Sequence, residues 1–505
     1  MLPVLVPPMM VMVIFMMYWK FAASAESPRQ PPISPKPSIG HLFGMIWYQG
    51  DYLKSLSAKY PNWPVFSLRI FTTNIYVINT PEFIQGILGN TKSVSFYPFH
   101  IAFTNRALGA RQEIKDIVAH NGADNRYMRA IHHEMYNALQ LGPNLVETKR
   151  RVVNSLAEQF NDIDSSPQLR NLFDWMKLVY TMSLGDSFYG PENPIRENPH
   201  FVKHIWDFEE ELPMLFLNLF PSITASRAWN ARKTLTTAFE EYYNKGLDRN
   251  ANAFIAGRAR AARAENFTNN DLAGFEITIC FAALTNTVPN AFSMLCNILA
   301  DPNLTTDIRE ELSGIVTRAN VDGETVITMD LTSLEINCPI LVSSYNETLR
   351  MCVNATAVRV VMEDMVLKDT YDLKKGGIVQ IPGGALHESP RIWGSDARVF
   401  NGRRFLNKKD LSREQKKAQS QGLFPFGGGK HLCPGRHLAF SEITSFVAMM
   451  IYGFEIRRKD GGLIIPPPFK VQQMGENSKK PKYDIEVVMS RRKEFEGSVW
   501  AFHVG

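Results

Sequence analysis

Apolar residues run without a charge from Leu2 to Trp19 and stop at Lys20. As a helix this run would span about 27 Å, enough for a thin bilayer core. Pro7 and Pro8 weaken its first half. A cleaved signal would carry a charged segment ahead of a shorter apolar run, and neither feature is present. Lys20, Arg29 and Lys36 follow, which favours a cytosolic downstream chain. The pattern predicts an uncleaved single-pass anchor within residues 1–24. Pro28, Pro31, Pro32, Pro35 and Pro37 then make residues 25–40 a stiff extended hinge. From 41 to 505 neither a repeat nor a second low-complexity linker interrupts the chain, so that stretch reads as one body.

Within the body most segments carry helical patterning. Asp271–Leu299 is long, apolar and almost uncharged after Glu276, which predicts a buried central helix. Val342–Val353 reads as a second helix. Short runs bounded by turn residues predict strands at Val65–Ile70, Asn74–Ile78, Ile378–Ile381 and Asp484–Met489. The fold class is therefore mainly α with small β-sheets.

Composition narrows the function. Hydrophobic residues make up 45% of the 505, enough for a sizeable core. The net charge of +5 is spread along the chain, without a basic run interleaved with aromatics. That argues against nucleic acid and for a membrane surface or an acidic protein partner. The cysteines number five, an odd count at long spacings with no C-x-x-C pair. No disulfide framework or zinc pair follows, and an unpaired cysteine in special surroundings becomes a candidate ligand or nucleophile.

Cys433 has such surroundings. Phe424-Pro-Phe-Gly-Gly-Gly-Lys-His-Leu-Cys-Pro-Gly-Arg436 places three glycines before it and a helical stretch, His437–Tyr452, after it. The glycines permit a tight turn and close approach to a flat ligand. A helix N-terminus stabilises a thiolate. A phosphate-cradling loop would need a Lys-Ser/Thr pair after the glycines, and none follows. Phe426, Gly429, His431, Cys433 and Gly435 together resemble the haem loop of the cytochrome P-450 family. Glu347-Thr-Leu-Arg350 resembles that family's E-x-x-R, and Phe400-Asn-Gly-Arg-Arg404-Phe its F-x-P-x-R-F, with Gly402 in place of the usual Pro. His387-Glu-Ser-Pro-Arg-Ile-Trp393 matches the stretch between them, and the order agrees from residue 25 to 505.

The resemblance implies a cytochrome P-450 fold with haem b, Cys433 as axial ligand to iron, and a structural set of Glu347, Arg350 and Arg404. Phe426 and Gly435 flank the cofactor. His431 and Arg359 are the expected propionate partners. The family's W-x-x-x-R is missing, and Arg126, Arg129, His132 and His133 lie in roughly its place.

On the oxygen side the expected A/G-G-x-D/E-T reads Ala282-Ala-Leu-Thr285-Asn286-Thr287-Val-Pro289. Thr285 holds the acid position and Asn286 the alcohol position, so Thr285, Asn286 and Thr287 are the catalytic candidates. Asn286 can hydrogen-bond oxygen or water but is no acid, and its amide can equally bond the helix backbone. The pattern is similar to the branch holding sterol 7α- and 12α-hydroxylases and prostacyclin synthase. That branch mixes monooxygenases with a rearranging isomerase, so both reactions stay open.

Phe96–Arg111 and the apolar patch Leu212–Phe220 are either substrate-facing or core. The style of the loop resembles fungal secondary-metabolite members, implying a lipophilic terpenoid, polyketide or alkaloid intermediate. No flavin or nicotinamide fingerprint is present, so electrons would come from an NADPH-cytochrome reductase, with a cytochrome b-type donor as a second source. Lys416, Lys417, Lys430 and Arg436 are candidate docking charges. The implied location is the endoplasmic reticulum membrane, with a cytosolic catalytic domain.

Overall fold

A computed structural model describes residues 28–504, apart from 49, 121–124, 164, 407–408 and 474. The expected anchor run lies outside the described residues, as does the start of the hinge. The central helix spans Asn269–Leu299, two residues earlier than the apolar pattern predicts. Its start is set by a polar device that hydrophobicity does not register. The Thr268 hydroxyl accepts from the Asp271 N–H while the Asp271 carboxylate accepts from the Thr268 N–H, satisfying two orphan donors. This helix is also the one described helix long and apolar enough to cross a membrane, but most of it is buried in the protein core.

Around it pack Leu172–Tyr189, Ser226–Asn244, Pro339–Cys352 and Arg436–Gly453. They share one apolar core through residues such as Phe292, Leu295, Phe446 and Leu341. The helix expected over Val342–Val353 begins at Pro339, where proline's missing N–H costs nothing, and ends at Cys352.

The sheets are small. The largest orders Val65–Ile70, Thr73–Ile78, Ile378–Pro382, Thr356–Val361 and Val94–Ser95 as five strands. The first pair is an antiparallel hairpin with Val65 opposite Ile78. The strand expected over Asp484–Met489 instead spans Glu486–Arg491. Asp484 is used elsewhere: its carboxylate accepts from the N–H groups of Phe173 and Asp174 at 2.7 and 2.9 Å, capping the helix they open. The Phe96–Arg111 segment is mostly a helix, Tyr97–Arg106. All five cysteines are free thiols. The architecture is mostly helical with small sheets, as the pattern predicts.

Candidate active site

The cysteine loop is held from several sides. The Cys433 N–H donates to the Phe426 carbonyl at 3.0 Å, and the Gly427 N–H to Phe424 at 3.0 Å. Gly429 has φ +65° and lies so close to the Leu88 backbone that any Cβ would overlap its carbonyl oxygen. Only glycine satisfies both constraints. The helix Arg436–Gly453 starts three residues after Cys433. Burial raises the Cys433 thiol pKa, while the Gly435 N–H, the Arg436 charge and the Arg436 N–H pull it down. A thiol in a dry site, faced by donors that stabilise its anion, suits a cation ligand. Tyr136 donates its hydroxyl to the Leu432 carbonyl, and His132 Nε2 lies 3.1 Å from the Lys430 carbonyl. Tyr136 was not singled out in the sequence, because a tyrosine on a polar helix carries no signal of what it will meet.

Behind the loop the expected charged set is assembled. Arg350 makes a bidentate pair with Glu347 at 2.8 and 2.7 Å, and both side chains are fully buried. Arg404 Nε reaches both Glu347 oxygens at 3.0 Å, and its outer nitrogens pair with Asp396. The remaining Arg350 nitrogen donates to the carbonyls of His387 and Ala397, each at 2.6 Å. Gly402 keeps Arg404 in register without proline. It packs where a Cβ would strike Ser344 and Leu304, and its carbonyl accepts from the Ser344 hydroxyl.

His387 connects this set to the loop. One ring nitrogen lies 2.8 Å from the Val353 carbonyl, and the other accepts from the Phe424 N–H at 3.3 Å. The carbonyl fixes the tautomer, since only an N–H can face it. Burial lowers the His387 pKa to about 4, with Arg350 and Lys479 adding to the effect. His387 is therefore neutral in the fold, and protonation favours the unfolded chain. Its contribution is complete above its ordinary value of 6.5 and falls as pH drops towards 4. The urea midpoint should decline across that window, and His387→Asn should remove part of the decline. An unchanged slope in that variant would contradict the assignment.

A second feature is a cluster of nitrogen donors around one buried cation. Arg359 is buried, donates to the neighbouring Val358 carbonyl, and lies over the Phe96 ring at 5.7 Å. Phe96 in turn meets His431 at 5.6 Å between centroids. Burial first, and then Arg359, His132, His100 and Lys430, push the His431 pKa down to about 4. Among the described residues no carboxylate pairs with Arg359, His431, His100 or Lys430. His100 Nδ1 is buried without a partner. Donors clustered without an anion fit the propionates of a haem whose iron meets Cys433. His100 is an addition to the sequence reading. Of the early-chain candidates, His132 reaches the loop, whereas Arg126 pairs with Glu265.

The central helix supplies the third feature. Ala282 is exposed although it sits mid-way along this buried helix, and Phe281, Ala283 and Asn286 beside it are half-buried. The small side chains leave this part of the helix uncovered. Thr285 and Thr287 are buried, and the Thr285 hydroxyl donates to the Phe281 carbonyl at 2.9 Å. That is a helix-backbone bond and leaves the hydroxyl oxygen able to accept. The Asn286 amide donates to the Ala282 carbonyl at 3.2 Å and accepts from Ser478 at 3.3 Å.

These features agree with comparison to known proteins. The Cytochrome P450 family model matches residues 28–484. The chain is 30% identical over 492 residues to the cytochrome P450 monooxygenase nodJ of Hypoxylon pulicicidum, covering 96% of this chain and 94% of that one. It is 29% identical over 506 residues to a cytochrome P450 monooxygenase of Gibberella zeae, covering 97% and 94%. A 7-alpha-hydroxycholest-4-en-3-one 12-alpha-hydroxylase of Oryctolagus cuniculus is 29% identical over 223 residues, 42% of this chain and 44% of that one. With a family model spanning nearly the whole body, and a cysteine loop, buried Glu–Arg set and open central helix to match, the chain belongs to the cytochrome P450 family.

Proposed function

We propose that this monooxygenase binds haem b through the Cys433 thiolate and oxidises a lipophilic intermediate of fungal secondary metabolism. The observation that carries the reading is the Cys433 loop beside a cluster of nitrogen donors, buried Arg359 with His431 and His100, with which no described carboxylate pairs. When bound, the haem supplies reductive activation of dioxygen and oxygen transfer, which a thiolate ligand promotes. The protein's own residues do the rest. The N–H groups of Gly435 and Arg436 steady the sulfur anion. Arg359, His431 and His100 orient the cofactor through its carboxylates. Ala282 and Ala283 leave room for substrate, and Asn286 presents a neutral amide to the oxygen side. Full-length relatives named as fungal monooxygenases support the secondary-metabolite role.

Electrons come, in this reading, from a separate NADPH-cytochrome reductase, with a cytochrome b-type donor as an additional source. Lys416, Lys417 and Lys430 are exposed, consistent with an acidic partner. Reconstitution with NADPH and reductase under labelled dioxygen tests this, with label expected in the product. The second reading, a rearrangement needing neither reductase nor dioxygen, rests on Asn286 replacing the alcohol. Unlabelled product formed anaerobically without reductase would establish it.

The expected endoplasmic reticulum anchor, residues 1–24, is joined here by surface features that favour a membrane. Met214, Leu217, Leu219, Phe220 and Ile223 are exposed, although Leu215 between them is buried. Ile39, Phe43, Ile46, Trp47 and Tyr48, on the helix Ser38–Tyr48, form a second exposed apolar group. Exposed clusters of this kind mark interaction surfaces. Protein lacking residues 1–24 should still float with phosphatidylcholine vesicles. Leu219→Asp with Phe220→Asp should weaken that binding roughly a hundredfold or more, since each of the two large side chains kept from lipid forfeits about 1.5–3 kcal/mol. Equal flotation of both proteins would assign the patch another role.

A further inference from the structure

We propose that Ser478 is a positioning residue that locks the Asn286 amide, so that it presents an N–H, and not its oxygen, to the space over Ala282. The proposal rests on the haem-thiolate reading above and concerns the chain's own residues on the oxygen side.

Two backbone carbonyls fix the geometry. The Ala282 carbonyl can only accept, so the group 3.2 Å from it must be the Asn286 amide nitrogen. The Asn286 carbonyl can likewise only accept, so the group 2.7 Å from it is the Asn290 amide nitrogen. That same Asn290 nitrogen donates to Ser478 Oγ at 2.9 Å. With an acceptor role already taken, the single Ser478 hydroxyl hydrogen is directed to Asn286 Oδ1, 3.3 Å away. Reversing the Asn286 amide would set oxygen against the Ala282 carbonyl and leave the serine hydrogen without this acceptor. The network therefore selects one orientation.

Ser478 itself is fixed independently of its hydroxyl. It is buried and forms a backbone bridge with Val353. On either side of it, the Asn354 N–H donates to the Asn477 carbonyl and the Lys479 N–H to the Cys352 carbonyl, both at 2.8 Å. This strap ties the loop to the end of the helix bearing Glu347 and Arg350. Deleting the hydroxyl should leave the loop in place and free the amide. Asn286 Nδ2 has a second hydrogen, and among the described residues nothing else accepts it. It is thus available to an oxygen atom lying over Ala282. The consequence is a helix that donates a hydrogen bond from a neutral amide where an acid and alcohol would otherwise relay a proton.

The test uses the full-length haem-loaded protein, reduced, with carbon monoxide as the probe. A nearby N–H donor lowers and sharpens the C–O infrared stretch. Wild type is expected to show one narrow low-frequency band. Ser478→Ala should give a shift to higher frequency or a second band, and Ser478→Thr should restore the single band. Should Ser478→Ala not load haem, Asn290→Ala removes the other contact to Ser478 and should broaden the band in the same way. A Ser478→Ala or Asn290→Ala band identical to wild type in position and width would overturn the proposal. The red-shifted Soret band of the same samples separates this from failure of the thiolate reading, since that band would persist.

Discussion

Glu347→Gln is expected to abolish accumulation of folded, haem-loaded protein. Glu347 is fully buried and holds two guanidinium groups, Arg350 by two bonds and Arg404 by two more, besides the Asn401 N–H at 3.0 Å. An amide keeps the shape but removes the charge and turns one acceptor into a donor, which then faces a cation. Breaking a buried pair by removing one partner costs about 3–5 kcal/mol. Here one anion serves two cations, so the cost lies at the upper end. Total stability of a folded domain is about 5–15 kcal/mol, so little remains. The damage also travels. Arg350 holds the His387 carbonyl, and the His387 ring holds Phe424 at the start of the cysteine loop. Haem content and melting temperature of the purified variant check this. A stable variant with full haem content would show the set to be dispensable.

Cys433→Ser should act in the opposite manner, leaving the fold and erasing oxygen transfer. The sulfur is faced by the N–H groups of Gly435 and Arg436, and a hydroxyl can accept from both. A serine hydroxyl does not ionise near neutral pH, so the electron-rich anionic ligand is lost. Melting temperature of the cofactor-free protein should stay close to wild type while product formation falls to background. Retained oxygenation would remove Cys433 from the chemistry.

How much of this was legible in the sequence differs from residue to residue. The Glu347–Arg350 pairing was legible because three residues of helix put two side chains on one face. The central helix was legible because the nearly uncharged pattern over Asp271–Leu299 leaves few alternatives, though its capped start at Asn269 was not. Strands such as Val316–Val321, largely exposed, carried no burial signal to read. At the site, Cys433, Arg359 and His431 were expected and lie together with it or with one another as described. His100, Tyr136 and Ser478 were missed. Tyr136 and Ser478 are polar residues whose partners lie far along the chain, Leu432 and Asn286, and His100 neighbours His431 across a similar separation. Single-chain patterning has no access to such pairings. Asn286 was expected near oxygen with backbone bonding as its alternative, and both of its amide atoms are engaged, one of them by the backbone.

In the reading proposed above, Cys433 ligates haem iron as a thiolate. The reduced carbon-monoxide difference spectrum of full-length protein tests it most directly, run beside Cys433→Ser. Wild type should show the strongly red-shifted Soret band for which the family is named, and the serine variant should lose it. Its absence from well-folded, haem-loaded wild type, or its survival in Cys433→Ser, would show that Cys433 is not a thiolate ligand to the iron.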